Sequence, residues 1–145
     1  MKGAAAVGVN DTVYIFGGRR QSDANGATDY FSNELNLIRG DQWEQVASTG
    51  ASPDAVQGAS IVHYQSRIYV FGGFSDTGCF NHMFSMDVSG SGTHEWETIP
   101  QQGSTPSPRH GHSAVVVGKE MFVFGGTNGF ETLDDLHIFD FGEYS

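Results

Sequence analysis

The residues best suited to chemistry are few and scattered. His110 and His112 form an H-x-H pair, and on extended backbone two such side chains fall on one face, which is how a metal site can start. No cysteine or carboxylate nearby in sequence completes a ligand set, so a metal site is not the preferred reading, and His110 reads as a loop residue. Cys79 sits between Gly78 and Phe80 without a basic neighbour to lower its pKa, and it reads as unreactive. Asp134 and Asp135 are adjacent in a strand pattern and alternate faces, which argues against a proton-sharing pair. Three Gly-Gly doublets end apolar runs instead of opening helices, so a phosphate cradle is not indicated. Arg19-Arg20 is the one basic doublet in a chain with only 7 Lys and Arg, and Tyr30, Phe31, Phe74, Phe80 and Phe130 lie in comparable loop stretches. Arginine and aromatic residues dominate protein–protein hot spots, which makes these loops the better candidates for function.

Composition narrows the classes. The 145 residues carry 17 Asp and Glu against 7 Lys and Arg, a net charge of −10. That balance disfavours nucleic acid or an anionic membrane as partner, because phosphate binding needs a basic surface. It allows a protein partner with a basic surface. Cys79 is the only cysteine, so no intrachain disulfide exists, and a reducing, cytoplasmic setting is expected. The opening run Met1 to Val9 is cut short by Asn10 and Asp11 and aligns with a repeated strand, so it reads as strand and not as a signal peptide.

The elements that must position these residues repeat three times. Val13-Tyr14-Ile15-Phe16-Gly17-Gly18 returns as Ile68-Tyr69-Val70-Phe71-Gly72-Gly73 and as Met121-Phe122-Val123-Phe124-Gly125-Gly126. The copies stand roughly 50 residues apart, a period that in a β-rich chain marks propeller blades. An apolar strand precedes each phrase (Ala4 to Val9, Ala59 to His63, His112 to Val117), separated by polar turns at Asn10-Asp11, Gln65-Ser66 and Gly118-Lys119. Third strands follow at Asn33 to Arg39, Asn81 to Asp87 and Asp134 to Asp140, and tryptophan strands at Gln42 to Val46 and Glu95 to Ile99. The first two strands of each copy hardly alternate, which implies sheets covered on both faces by neighbouring sheets.

These motifs resemble the kelch repeat. The resemblance rests on Pro106-Ser107-Pro108-Arg109-His110-Gly111-His112-Ser113, then Phe124-Gly125-Gly126 and Asp134-Asp135-Leu136, with Trp96 followed by Gly103-Ser104-Thr105-Pro106. Val56 and Ala59 replace Arg109 and His112 in the second copy, so the family's ring of arginines is interrupted. The resemblance implies an all-β kelch-type propeller segment of three four-stranded antiparallel blades, at residues 1–49, 50–102 and 103–145, the last lacking its outer strand. Eleven strands of a possible twelve are expected. It makes the glycine doublets, Trp43 and Trp96 structural, and His112 a packing histidine.

For function, the resemblance implies a protein-interaction module: the substrate-recognition part of a ubiquitin-ligase adaptor, or a scaffold. It places the loops after the doublets and the connections 50–57 and 103–110 on the partner-binding face. Arg19, Arg20, Tyr30, Phe31, Phe74, Phe80, Arg109, His110 and Phe130 are the expected contacts. The alternative is a propeller enzyme or metal site of the galactose oxidase or nitrile-specifier type. The nitrile-specifier iron pattern E-x3-D-x3-H is met at Glu131 and Asp135 but fails at Phe139, with His137 out of step. No catalytic residue, metal or cofactor is therefore expected. Because propellers close with about four to eight blades, the outer faces should meet further kelch blades, from a longer polypeptide or from a second copy.

Overall fold

The computed structural model describes residues 2–21, 29–90, 94–101 and 105–144. The first sheet is built from β1 (Ala5–Val9), β2 (Thr12–Phe16), β5 (Leu35–Arg39) and β6 (Gln42–Gln45), with β3 (Arg19–Gln21) and β4 (Asp29–Phe31) forming a separate two-stranded ribbon between β2 and β5. A two-residue extended segment, β7 (Thr49–Gly50), follows. The second sheet comprises β8 (Ser60–Tyr64), β9 (Arg67–Phe71), β12 (Met83–Asp87) and β13 (Glu95–Thr98), and its own ribbon is β10 (Phe74–Ser75) with β11 (Gly78–Cys79). The third holds β14 (Ser113–Val117), β15 (Glu120–Phe124) and β16 (Leu136–Asp140), followed by a helical turn, α1 (Phe141–Tyr144). The eleven expected strands are all present.

Each sheet is an antiparallel meander, started by a two-residue hairpin that pairs Val9 with Thr12, Tyr64 with Arg67 and Val117 with Glu120. The first turn residue is left-handed in all three: Asn10 (φ 55), Gln65 (φ 54) and Gly118 (φ 62). The innermost strands β1, β8 and β14 lie side by side, so the three sheets fan out as propeller blades from a common axis.

One departure concerns β7. It pairs in parallel with β13, Glu95 with Thr49 and Trp96 with Gly50, and so gives blade two a fifth, outermost strand. Gly50 (φ 84) permits this approach, since a Cβ there would run into the Trp96 carbonyl. The segment leaving blade one is thereby stitched to the outer edge of blade two.

The core lies in two seams. Along β9 the side chains alternate faces: Ile68 and Val70 join Tyr14, Phe16, Leu37 and Trp96 between blades one and two, while Tyr69 and Phe71 join Met83, Met121, Val123 and Phe141 between blades two and three. Trp96 is 2% exposed and meets Phe16 edge-on with ring centroids 5.8 Å apart. Along the two middle strands of blade two, β9 and β12, both faces are buried. In blade three the burial alternates although the sequence does not, leaving Val115, Val117, Phe124, Leu136 and Ile138 exposed. On blade one's outward face, Val13 and Trp43 are exposed as well, so Trp43 lacks the burial that Trp96 has. Only the middle blade has a neighbour on each side within this chain, and that is the physical reason for the difference.

Candidate partner-binding face

The glycine doublets make the joints between blades. Gly17 (φ 74) and Gly18 (φ 98) adopt backbone angles that side chains disfavour, and the Gly18 N–H donates to the Val56 carbonyl of the next blade at 2.8 Å. Gly73 repeats this with the Arg109 carbonyl at 2.9 Å, and a Cβ on Gly72 would stand 2.8 Å from that same oxygen. In both doublets the first N–H is spent within its own blade, on the Glu34 or His82 carbonyl, and the second on the next blade, so neither pair is left to cradle a phosphate. Asn33 and Asn81 reinforce the joints, each donating from Nδ2 to the carbonyl of a proline in the following connection, Pro53 at 3.2 Å and Pro106 at 3.1 Å.

Beyond each doublet the chain projects at one end of the fan. The ribbons β3–β4 and β10–β11 stand there as the walls of an open groove of about 540 Å³. Arg19, Tyr30 and Phe31 come from the first ribbon, Ser75, Asp76 and Phe80 from the second ribbon and its exit, and Asp54-Ala55 from the connection between the blades. An aromatic run ties the walls together. The Arg19 guanidinium lies over the Phe31 ring at 5.6 Å, Phe31 meets Phe74 edge-on at 5.8 Å, and Phe74 meets the His110 ring at 4.1 Å. That run crosses from blade one to the entry of blade three.

Most of the expected contacts are brought together here: Arg19, Tyr30, Phe31 and Phe80 line the groove, and Phe74 and His110 back it. Three are not. Arg20 is drawn away by Glu34, to which its Nη1 makes an ion pair at 3.2 Å. Phe130 stands alone on the blade-three loop, 96% exposed, its backbone N–H held by the Asn128 side chain at 2.9 Å. Arg109 is a correction: its side chain is fully buried and cannot meet a partner. It donates to both oxygens of Asp135 at 2.7 and 2.8 Å, to the Gly125 carbonyl at 3.0 Å and to Ser107. Asn25-Gly26 in the first loop and Gly103-Ser104 in the third connection lie outside the described residues.

The resemblance places the connection 50–57 and the loop after Gly72-Gly73 on this face, but the sequence reading singles out none of Asp54, Ala55, Ser75 and Asp76, which line the groove. A signal for Asp54 existed. His82 occupies the place in blade two that Asp135 holds in blade three, while Val56 replaces Arg109. The acid–base pair is reversed there: His82 Nδ1 donates to Asp54 Oδ2 at 2.8 Å, and the carboxylate moves to the lip of the groove.

Among the described residues the chemistry-bearing side chains are dispersed. His112 is largely buried, with Nε2 2.9 Å from Ser60 Oγ and its ring edge-on to Phe71 at 5.3 Å, so burial first, then the nearby Arg109 charge, push its pKa down to about 4. His110 faces Phe74 instead, so the two histidines serve different neighbours. Burial raises the Cys79 thiol pKa, which disfavours the nucleophilic thiolate. Both oxygens of Asp135 accept hydrogen bonds, from Arg109 and His137, and these hold its carboxyl well below the usual carboxylate range. Among the described residues no group of three or more His, Cys, Asp or Glu is placed to hold a metal ion. No helix among them is long and apolar enough to cross a membrane.

Comparison with known proteins agrees with the repeat. The model of the KLHDC2/KLHL20/DRC7 Kelch-repeats domain matches residues 3–145. Acyl-CoA-binding domain-containing protein 4 of Arabidopsis thaliana is 33% identical over 127 residues, which cover 86% of this chain and 18% of that protein. Kelch domain-containing protein 2 of Mus musculus is 29% identical over 94% of this chain and 38% of its own length. For kelch domain-containing protein 3 of Rattus norvegicus the figures are 26%, 94% and 40%. The chain therefore spans less than half of each relative. With its glycine-doublet strands, three-blade fan and match over residues 3–145, the chain belongs to the kelch-repeat family, as a segment of a kelch β-propeller.

Proposed function

We propose that this chain serves as part of a protein-interaction module whose contact face is the ribbon end, centred on the groove between blades one and two. Kelch repeats generally mediate binding to other proteins, and one observation carries the assignment to this face. Four of the residues expected from sequence as contacts, Arg19, Tyr30, Phe31 and Phe80, line a single open groove between two hydrogen-bonded ribbons. Rigid, partly exposed aromatic and arginine side chains are what an interface needs at low ordering cost. Within this reading the module is the substrate-recognition part of a ubiquitin-ligase adaptor or a scaffold, acting in the cytoplasm. The outward apolar faces of blades one and three pack on further kelch blades, from a longer polypeptide or from a second copy.

The test is a titration of a purified partner, first identified by capture on the full-length protein. Ala55→Trp, which fills the groove from its back wall, and Tyr30→Ala should each weaken binding about tenfold while leaving the unfolding midpoint nearly in place. Undiminished binding by both variants removes the groove from the contact.

A further inference from the structure

We infer that the groove seats a lysine or arginine side chain of an extended segment of the partner. This rests on the reading that the groove is a protein-contact site, and it names the chemistry recognised there. The two walls differ in charge. On the first ribbon, Arg19 covers the Phe31 ring at 5.6 Å, so that aromatic face is already taken by a cation. The opposite side presents Asp76 from the second ribbon and Asp54 from the connection between the blades, with Phe80 between the ribbon and the blade.

Asp54 accepts one hydrogen bond from His82, at Oδ2. A carboxylate has about four lone-pair sites, so it keeps capacity for an incoming N–H donor. An ammonium or guanidinium placed there donates charge-assisted hydrogen bonds to the carboxylates and gains a cation–π contact with an aromatic face. Its aliphatic stem has Phe80 and Ala55 to lie against, as long basic side chains prefer. At about 540 Å³ the groove is large enough for such a side chain with its backbone, and being open it suits a strand-like segment crossing between the ribbons. The net charge of −10 draws basic segments toward the molecule from a distance. Blade two carries Asp54, Val56 and His82 where blade three carries Ser107, Arg109 and Asp135, so its carboxylate stands in the connection and that of blade three at the entry to β16. In blade three that carboxylate is consumed internally by the buried arginine.

The experiment uses the full-length protein and fluorescent, N-acetylated, C-amidated hexapeptide pools that differ in one central residue, read by fluorescence polarisation. Blocked ends keep terminal charges out of the result. Pools with central lysine or arginine should bind tightest, and the double variant Asp54→Asn/Asp76→Asn should weaken them about three- to tenfold. That loss should shrink as salt is raised. Binding without preference for a basic residue, or unaffected by the double variant, overturns the inference while leaving the groove as a contact site. If no pool binds, yet the captured partner still depends on Tyr30 and Ala55, the inference falls and the groove reading stands. If the partner is also indifferent to those two positions, both fall.

Discussion

Arg109 and Asp135 are joined by two short hydrogen bonds, 2.7 and 2.8 Å, yet the arginine is fully buried and the aspartate side chain is 43% exposed. The pair is asymmetric, and so is the cost of breaking it. Replacing Asp135 with alanine leaves a buried guanidinium without its counter-charge and should cost roughly 3 kcal/mol. Arg109→Met leaves a carboxylate that water can reach and keeps most of the buried volume, at about 1–2 kcal/mol. Denaturant unfolding of the two variants measures the difference, and equal losses would count against this account of the clamp.

The two tryptophans should part company. Trp96→Ala removes a side chain 2% exposed in the seam against Phe16 and should cost about 3–5 kcal/mol. Trp43, at 53% exposure, should cost less than about 1 kcal/mol in this 145-residue chain. A loss at Trp43 as large as that at Trp96 within the full-length protein would show that a further blade covers it there.

Self-association follows from the open faces. Val115, Val117, Phe124, Leu136 and Ile138 form one exposed apolar sheet face, and Val13 and Trp43 lie on another at the far side of the fan. Surfaces of this kind associate when left uncovered. Light scattering after size exclusion should give a mass for the 145-residue chain that rises with concentration. A cooperative, monodisperse monomer at micromolar concentration contradicts the idea that these faces need partners.

Acid should destabilise the fold in two stages. His112 has a folded pKa of about 4, below its ordinary value of 6.5, and burial lowers that of His110 in the same direction. The unfolded chain therefore binds protons first, and stability falls as pH drops from about 6.5 toward 4. Asp135, also lowered, contributes stability that is fully present above the ordinary carboxylate value of 3.8 and is lost as pH falls below it. His112→Gln should flatten the dependence of the urea midpoint on pH between about 6.5 and 4. An unchanged slope would mean that the buried imidazole is not the group being titrated.

The strands, their order and the blade repeat were determined by local sequence. Four consecutive apolar residues before Gly17-Gly18, Gly72-Gly73 and Gly125-Gly126, with turn residues at fixed offsets, specify a hairpin and its joint through backbone preferences alone. The aromatic and arginine content of the ribbon loops was legible for the same reason: residue type carries it. Only the tertiary structure decided which of those side chains meet a partner. Arg109 and Arg19 look alike as residue types, but one lies opposite Asp135 inside a blade and the other over Phe31 on a ribbon. Burial likewise depends on neighbours distant in sequence, so equally apolar strands end covered on both faces in blade two and on one face in blade three. The groove required the most long-range information, because Asp54, Asp76 and Tyr30 come from three segments that the packing of blade two against blade one brings together.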